Sequence, residues 1–128
     1  GFVPADADFL SSLSAELGPW TVSGPARQVA AQALLDVAWQ QETQARLMHD
    51  SRRLAGLLQA NGLAPGGGCA LFQWVKFARA AECFEALARA GILVRLFQEP
   101  ASLRFGLPGN EADWRRLERA LAQQAGRT

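Results

Sequence analysis

The sequence contains no tyrosine and only one lysine, one methionine and one histidine among its 128 residues. Its thirteen basic residues are offset by twelve acidic residues to a net charge of +1, too little for the electrostatic footprint of a nucleic-acid-binding protein. Charges break every apolar stretch well before the ~18 to 20 residues that a membrane span needs, and no signal-peptide pattern opens the chain. We therefore expect a cytoplasmic protein with neither nucleic-acid nor membrane partners.

Cysteine is also scarce, with Cys69 and Cys83 as the only two. Both fall in segments typical of strand and helix interiors, where a free cysteine behaves as a small apolar residue. We predict no disulfide framework and no metal site. Hydrophobic residues make up 49% and charged residues 20% of the chain, which favours a soluble globular fold of about one domain.

The first half of the chain has the apolar spacing of helices. Asp6 is placed to cap a short helix that ends at Gly18, and Pro25 suits the first turn of a long helix that closes at Asn61-Gly62. A helix of roughly 35 residues would be about 50 Å long, so we expect it to span two domains or to kink. Ser23 could cap this helix.

The second half of the chain alternates strands and helices. Residues 65–68, Pro-Gly-Gly-Gly, predict a loop, and residues 69–77 a central strand. A helix over residues 80–90, a hairpin of strands 92–97 and 103–107, and a final helix capped by Asn110 follow. The predicted fold is α/β (α+β), with helices packed on a short, mainly antiparallel sheet and a long N-terminal helix.

Two runs of residues resemble a known family. Residues 102–108 are Ser-Leu-Arg-Phe-Gly-Leu-Pro, residues 17–26 are Leu-Gly-Pro-Trp-Thr-Val-Ser-Gly-Pro-Ala, and the last helix carries Glu111, Trp114, Leu117 and Leu121. Together with residues 90–95, Ala-Gly-Ile-Leu-Val-Arg, these runs are similar to the small C-terminal domain of class I and II aminotransferases, which are fold-type-I pyridoxal-phosphate enzymes. Within that superfamily the chain looks most like the threonine-phosphate decarboxylases of cobalamin biosynthesis.

The resemblance implies that the chain is part of a longer enzyme. In such enzymes the lysine that binds pyridoxal phosphate precedes a segment similar to Gly1-Phe2-Val3, so we expect the large domain to be missing and the piece to be inactive alone and to bind no cofactor. We assign residues 1–23 to a remnant of the large domain and residues 24–128 to the small domain. The resemblance further implies a cytoplasmic homodimer that acts on a phosphorylated amino acid.

Two arginines are the candidate substrate-binding residues. Arg104 lies between Leu103 and Phe105, so its side chain points to the opposite face of the strand, toward either solvent or a polar pocket. The resemblance implies that Arg104 binds the substrate α-carboxylate, and that Arg95 faces the phosphate or the carboxylate. A planar guanidinium binds such groups bidentately and stays charged.

The other candidates favour structural roles. Lys76, the only lysine, lies late in a strand without a phosphate-binding loop, and His49 lies on a polar helix face, so we expect both at the surface. Trp20 and Trp114 are expected to be packing residues. We predict no catalytic, cofactor-binding or metal-binding residue in this chain. A histidinol-phosphate-type aminotransferase and a free-standing protein-interaction module remain the alternative functions.

Overall fold

The structure, a computed structural model, describes residues 4–18 and 22–125. Two compact units comprise Gly1–Gln40 and Gln41–Thr128. Within the described residues there are five helices and four strands, in the order α1 (Ala7–Leu17), α2 (Gly24–Leu35), α3 (Val37–Ala60), β1 (Gly67–Cys69), β2 (Phe72–Lys76), α4 (Ala80–Arg89), β3 (Arg95–Phe97), β4 (Ser102–Gly106) and α5 (Glu111–Ala125).

Side-chain caps begin the first two helices, as the sequence predicts. The Asp6 carboxylate accepts a hydrogen bond from the Phe9 amide at 2.9 Å, and the Ser23 hydroxyl accepts one from the Ala26 amide at 3.4 Å. These bonds satisfy amides that have no partner inside the helix. No described residue of α1 or α2 is buried, and Phe9 is 52% exposed.

The long helix predicted after Pro25 is interrupted at Asp36. The backbone of Asp36 leaves the helical region at φ −82° and ψ 78°, and its carboxylate accepts a hydrogen bond from the Trp39 amide at 2.9 Å. The Gln40 amide group donates to the carbonyls of Ala33 and Leu34 at the end of α2. The break therefore lies at a capping aspartate, before the polar stretch of residues 41–46, and α3 keeps 24 residues.

The sheet has the order β1-β2-β4-β3, and every neighbouring pair is antiparallel. The hairpin of β3 and β4 and the central position of β2 confirm the predictions. The single strand predicted for residues 69–77 is wrong, because the chain turns back after Cys69 and makes the β1–β2 hairpin. Gly67 and Gly68, predicted as loop, form β1, and Cys69 is exposed, not interior.

Strand β3 is shorter than predicted because residues 92–94 complete the preceding helix end. Gly91 has a φ of +71°, and the Ile92 amide donates to the Leu87 carbonyl at 2.9 Å, which is the left-handed helix ending that glycine favours. Val94 then enters the core, with 8% exposure. Regular pairing starts only at Arg95.

The core of the second unit lies between one face of the sheet and helices α3, α4 and α5. Val75, Leu103 and Phe105 provide the sheet side and are at most 1% exposed. The helices contribute Leu54 and Leu58 from α3, Ala80, Cys83 and Leu87 from α4, and Trp114, Leu117, Ala120 and Leu121 from α5. Each fully buried leucine contributes about 1.5–3 kcal/mol relative to an exposed one. The α/β fold with helices on an antiparallel sheet is thus as predicted.

Candidate functional site

The register of the β3–β4 hairpin places the two candidate arginines opposite each other. Arg95 and Arg104 are direct cross-strand partners, and Trp74 is the partner of Arg104 on the other side. Leu103 and Phe105 point into the core, so the alternation of β4 places Arg104 on the other face of the sheet. Residues directly opposite on one face have Cβ atoms about 4.5–5.5 Å apart. Two cations therefore share one small area of this face.

An aromatic ring lies under each guanidinium. The Arg104 Cζ atom is 5.1 Å from the centre of the Phe72 ring, and the Arg95 Cζ atom is 5.4 Å from the centre of the Phe97 ring. Both distances are within the range of cation–π attraction. The rings restrict where each guanidinium lies without neutralising its charge.

An open cleft of about 470 Å³ lies beside these side chains. We call it the arginine cleft, and its lining residues are Leu71, Phe72, Leu93, Val94, Arg95, Arg104 and Gly106. Within the described part of the chain, neither Arg95 nor Arg104 forms a salt bridge. Like charges directly opposite each other destabilise a sheet. An anionic ligand would relieve this repulsion, so the arginine cleft is suited to bind one.

Lys76 and His49 lie outside the arginine cleft. Lys76 is exposed at the end of β2, and His49 is exposed on α3, with its Nδ1 atom 3.2 Å from the Asp50 carboxylate. Among the described residues no cluster of histidine, cysteine or acidic side chains could hold a metal ion. Trp114 is buried in the core as expected, whereas Trp20 lies outside the described residues.

A second group of charged residues joins α3 to α5. Arg53 makes a bidentate ion pair with Glu111, with one N–O distance of 3.1 Å, and its guanidinium lies 4.2 Å above the Trp114 ring. Glu118 accepts a further bond at 3.4 Å. The hydrogen bond with Glu111 raises the pKa of Arg53, and the bond from Arg53 lowers the pKa of Glu111. This group links α3 to α5 on the helix side of the sheet.

The sequence did not indicate the aromatic partners of the arginines. Phe72 belongs to a different strand from Arg104, and only the β2–β4 register brings the two together. Phe97 could have been found, because it is two residues after Arg95 on one strand and must share its face.

No helix within the described ranges has the length and apolar character of a membrane span.

The family model for aminotransferase class I and II matches residues 1–121. A threonine-phosphate decarboxylase of Pseudomonas aeruginosa is 49% identical over 121 residues, which are 94% of this chain and 37% of that protein. A second, of a Sinorhizobium species, is 42% identical over 127 residues, 96% of this chain and again 37% of the relative. The chain thus spans just over a third of the length of these relatives.

A solved structure supports the same fold. A Burkholderia pseudomallei protein, provisionally assigned as an aminotransferase, superposes with a TM-score of 0.79 at 22% identity. The match covers 94% of this chain and 38% of that one. The family resemblance inferred from the sequence is therefore confirmed, and the chain belongs to the aminotransferase class I and II family.

Proposed function

We propose that this chain is the substrate-clamping, C-terminal part of a pyridoxal-phosphate enzyme that decarboxylates threonine phosphate in cobalamin biosynthesis. Two relatives that are named threonine-phosphate decarboxylases are 49% and 42% identical to this chain. The chain spans 37% of the length of each relative. The activity is therefore proposed for a longer protein to which this chain contributes substrate contacts. The observation that carries the proposal is the pair of guanidinium groups in the arginine cleft.

In this proposal Arg104 binds the substrate α-carboxylate and Arg95 binds its phosphate. Guanidinium groups bind both anions through paired N–H donors. The two aromatic contacts lie on opposite sides of the Arg95–Arg104 pair along β4, since Phe72 pairs with Gly106 and Phe97 with Ser102. That arrangement favours a ligand with two separate anionic groups.

The contribution of these arginines to catalysis is positioning. A substrate held at both its carboxylate and its phosphate keeps one orientation about Cα, which determines the bond that is aligned to break. Holding reactants in one geometry lowers the entropic part of the barrier. The clamp would also bind amino acids that lack the second anionic group less tightly, because one of its two guanidinium contacts would be lost.

The described residues do not fit the cofactor itself. Lys76 is the only lysine, and it is exposed and does not line the arginine cleft. We therefore assign pyridoxal phosphate to the rest of the longer protein, with residues 1–23 as a remnant of its large domain. The exposed apolar side chains of α1 and α2, such as Phe9 and Leu34 at 52% and 60%, are consistent with cover by that domain. A cytoplasmic homodimer is part of the same proposal.

The test uses the protein expressed from its complete reading frame, assayed for CO₂ release from O-phospho-L-threonine. Arg104→Ala should raise KM about ten- to a hundredfold, since a hydrogen-bonded charged partner contributes about 1.5–3 kcal/mol, while the bound cofactor content stays unchanged. Arg104→Lys keeps the charge but not the paired donors, so its KM should lie between the values of the wild type and Arg104→Ala. Arg89→Ala, an exposed arginine of α4 outside the cleft, is the matched control.

The same assay separates the alternatives. Unchanged KM in Arg104→Ala and Arg95→Ala would remove the arginine cleft from the site. Amino transfer from histidinol phosphate without CO₂ release from phosphothreonine would indicate the aminotransferase. A complete reading frame that starts near Gly1 would instead favour a free-standing interaction module.

A further inference from the structure

We infer that Phe72 is the positioning residue for Arg104, an inference that rests on the proposed function. Phe72 lies on β2, and its ring is the only aromatic surface within cation–π distance of Arg104 among the described residues. Arg104 forms no salt bridge there. The ring therefore replaces the carboxylate that would otherwise hold an arginine side chain, and it leaves the full charge available for a ligand.

Trp74 would be the more obvious partner, because it is directly opposite Arg104 and indole is the better cation–π surface. Its ring instead lies against Gly66 and Gly67 at the start of β1: side-chain carbons added there would be 3.5 and 3.9 Å from it. The absence of side chains at these glycines leaves room for the indole away from Arg104. Phe72 is left to define the position of the guanidinium.

Phe72 and Arg104 form a diagonal pair across strands β2 and β4. Phe72 is the cross-strand partner of Gly106, two residues beyond Arg104 on β4. A diagonal pair is about 7–8 Å apart, within reach of an aromatic ring and a long side chain. The Arg104 guanidinium reaches along this diagonal to the Phe72 ring, with its Cζ atom 5.1 Å from the ring centre.

The two aromatic contacts thus divide the arginine cleft into two subsites for anions, one at Arg104 and one at Arg95. Without the ring, Arg104 would sample several rotamers, and its charge would shift relative to Arg95. Substrate binding would then need to fix the guanidinium first, which weakens affinity without changing the reacting groups. We therefore expect loss of the ring to raise KM through Arg104, with a smaller fall in kcat because Arg95 still holds the phosphate and limits the loss of orientation.

The experiment compares Phe72→Leu, Phe72→Met and Phe72→Tyr in the protein from its complete reading frame. Phe72→Leu and Phe72→Met should raise KM for O-phospho-L-threonine about three- to tenfold, and Phe72→Tyr should restore the wild-type value. In an Arg104→Ala background, Phe72→Leu should add no further rise. Phe84→Leu, a half-buried phenylalanine in α4, is the matched control.

A spectroscopic measurement on the protein from its complete reading frame gives an independent result. The Nε–H proton of Arg104 should be shifted upfield by the ring current of Phe72, and Phe72→Leu should abolish that shift. Unchanged KM in Phe72→Leu, or an equal rise in the Arg104→Ala background, would overturn the inference while leaving the proposed function intact. Unchanged KM in Arg104→Ala would reject both.

Discussion

At the scale of single residues, Gly68 has less room for a side chain than any other glycine among the described residues. A side-chain carbon added there would lie 2.6 Å from the Phe72 carbonyl oxygen and 2.8 Å from the Gln73 side-chain oxygen. The first of these is a backbone atom, which cannot turn away. The Gln73 side chain is itself held, because its amide donates to the Ser51 hydroxyl at 2.8 Å. Only glycine fits the close β1–β2 hairpin at this point.

We predict that Gly68→Ala lowers the free energy of unfolding by about 1–3 kcal/mol, the usual cost of overpacking. Gly67→Ala is the matched control, because its added carbon would meet the Trp74 ring at 3.9 Å, an ordinary contact. Urea unfolding followed by circular dichroism measures both. Equal stability of the two variants would contradict this account of the hairpin.

The glycine-rich segment of residues 65–68 shows how far secondary structure could be predicted from local composition. Its composition predicted a loop, because glycine is common in turns and weakens strands. Glycine is required at position 68 of β1 for another reason, namely the approach of the Phe72 carbonyl and the Gln73 side chain. Those partners are set by pairing, so the local pattern could not reveal them.

At the scale of elements, the starts of α1, α2 and α5 were predictable from the sequence, whereas the break at Asp36 between α2 and α3 was not. Asp6, Ser23 and Asn110 cap helices as their positions indicated, since capping depends only on residues three or fewer positions away. The Asn110 side-chain oxygen accepts hydrogen bonds from the amides of Ala112 and Asp113 at 2.9 and 3.0 Å. Helix α5 therefore begins at a well-satisfied cap.

Asn110→Ala should destabilise the protein by about 0.5–2 kcal/mol, because the amides of the first turn of α5 lose their acceptor. Asn110→Ser retains a side-chain oxygen and should recover most of that loss. Thermal unfolding followed by calorimetry would measure the difference. If Asn110→Ser were as unstable as Asn110→Ala, the cap would not be the cause.

At the scale of the whole molecule, the ion pair of Arg53 with Glu111 connects two residues that are 58 positions apart in the sequence. The Arg53 guanidinium lies between the Trp114 ring and the Glu111 carboxylate, so one side chain joins α3 to α5. The pKa of Glu111 is lowered in the folded state mainly by its hydrogen bond from Arg53. A carboxyl group with a lowered pKa stabilises the fold above its ordinary value, and that contribution is lost as the pH falls through the lowered one.

We therefore predict that Glu111→Gln lowers stability at pH 7 and that the difference from wild type shrinks as the pH falls below the ordinary pKa of a glutamate toward the lowered one. Urea unfolding at pH 7 and pH 3 measures it. Glu85→Gln removes a carboxylate from the exposed pair with Arg89 and serves as the matched control. A Glu111→Gln difference that is equally large at both pH values would show that the ion pair contributes nothing.

The sequence by itself determined the helix caps, the apolar stripe of α5, the β3–β4 hairpin and the face on which Arg104 lies. All of these depend on spacing within one element or on two adjacent strands. The tertiary structure alone decided that β1 exists, that Arg104 lies over Phe72, and that Arg53 joins α3 to α5. Such contacts depend on strand register and helix packing, which bring together residues that no local pattern relates.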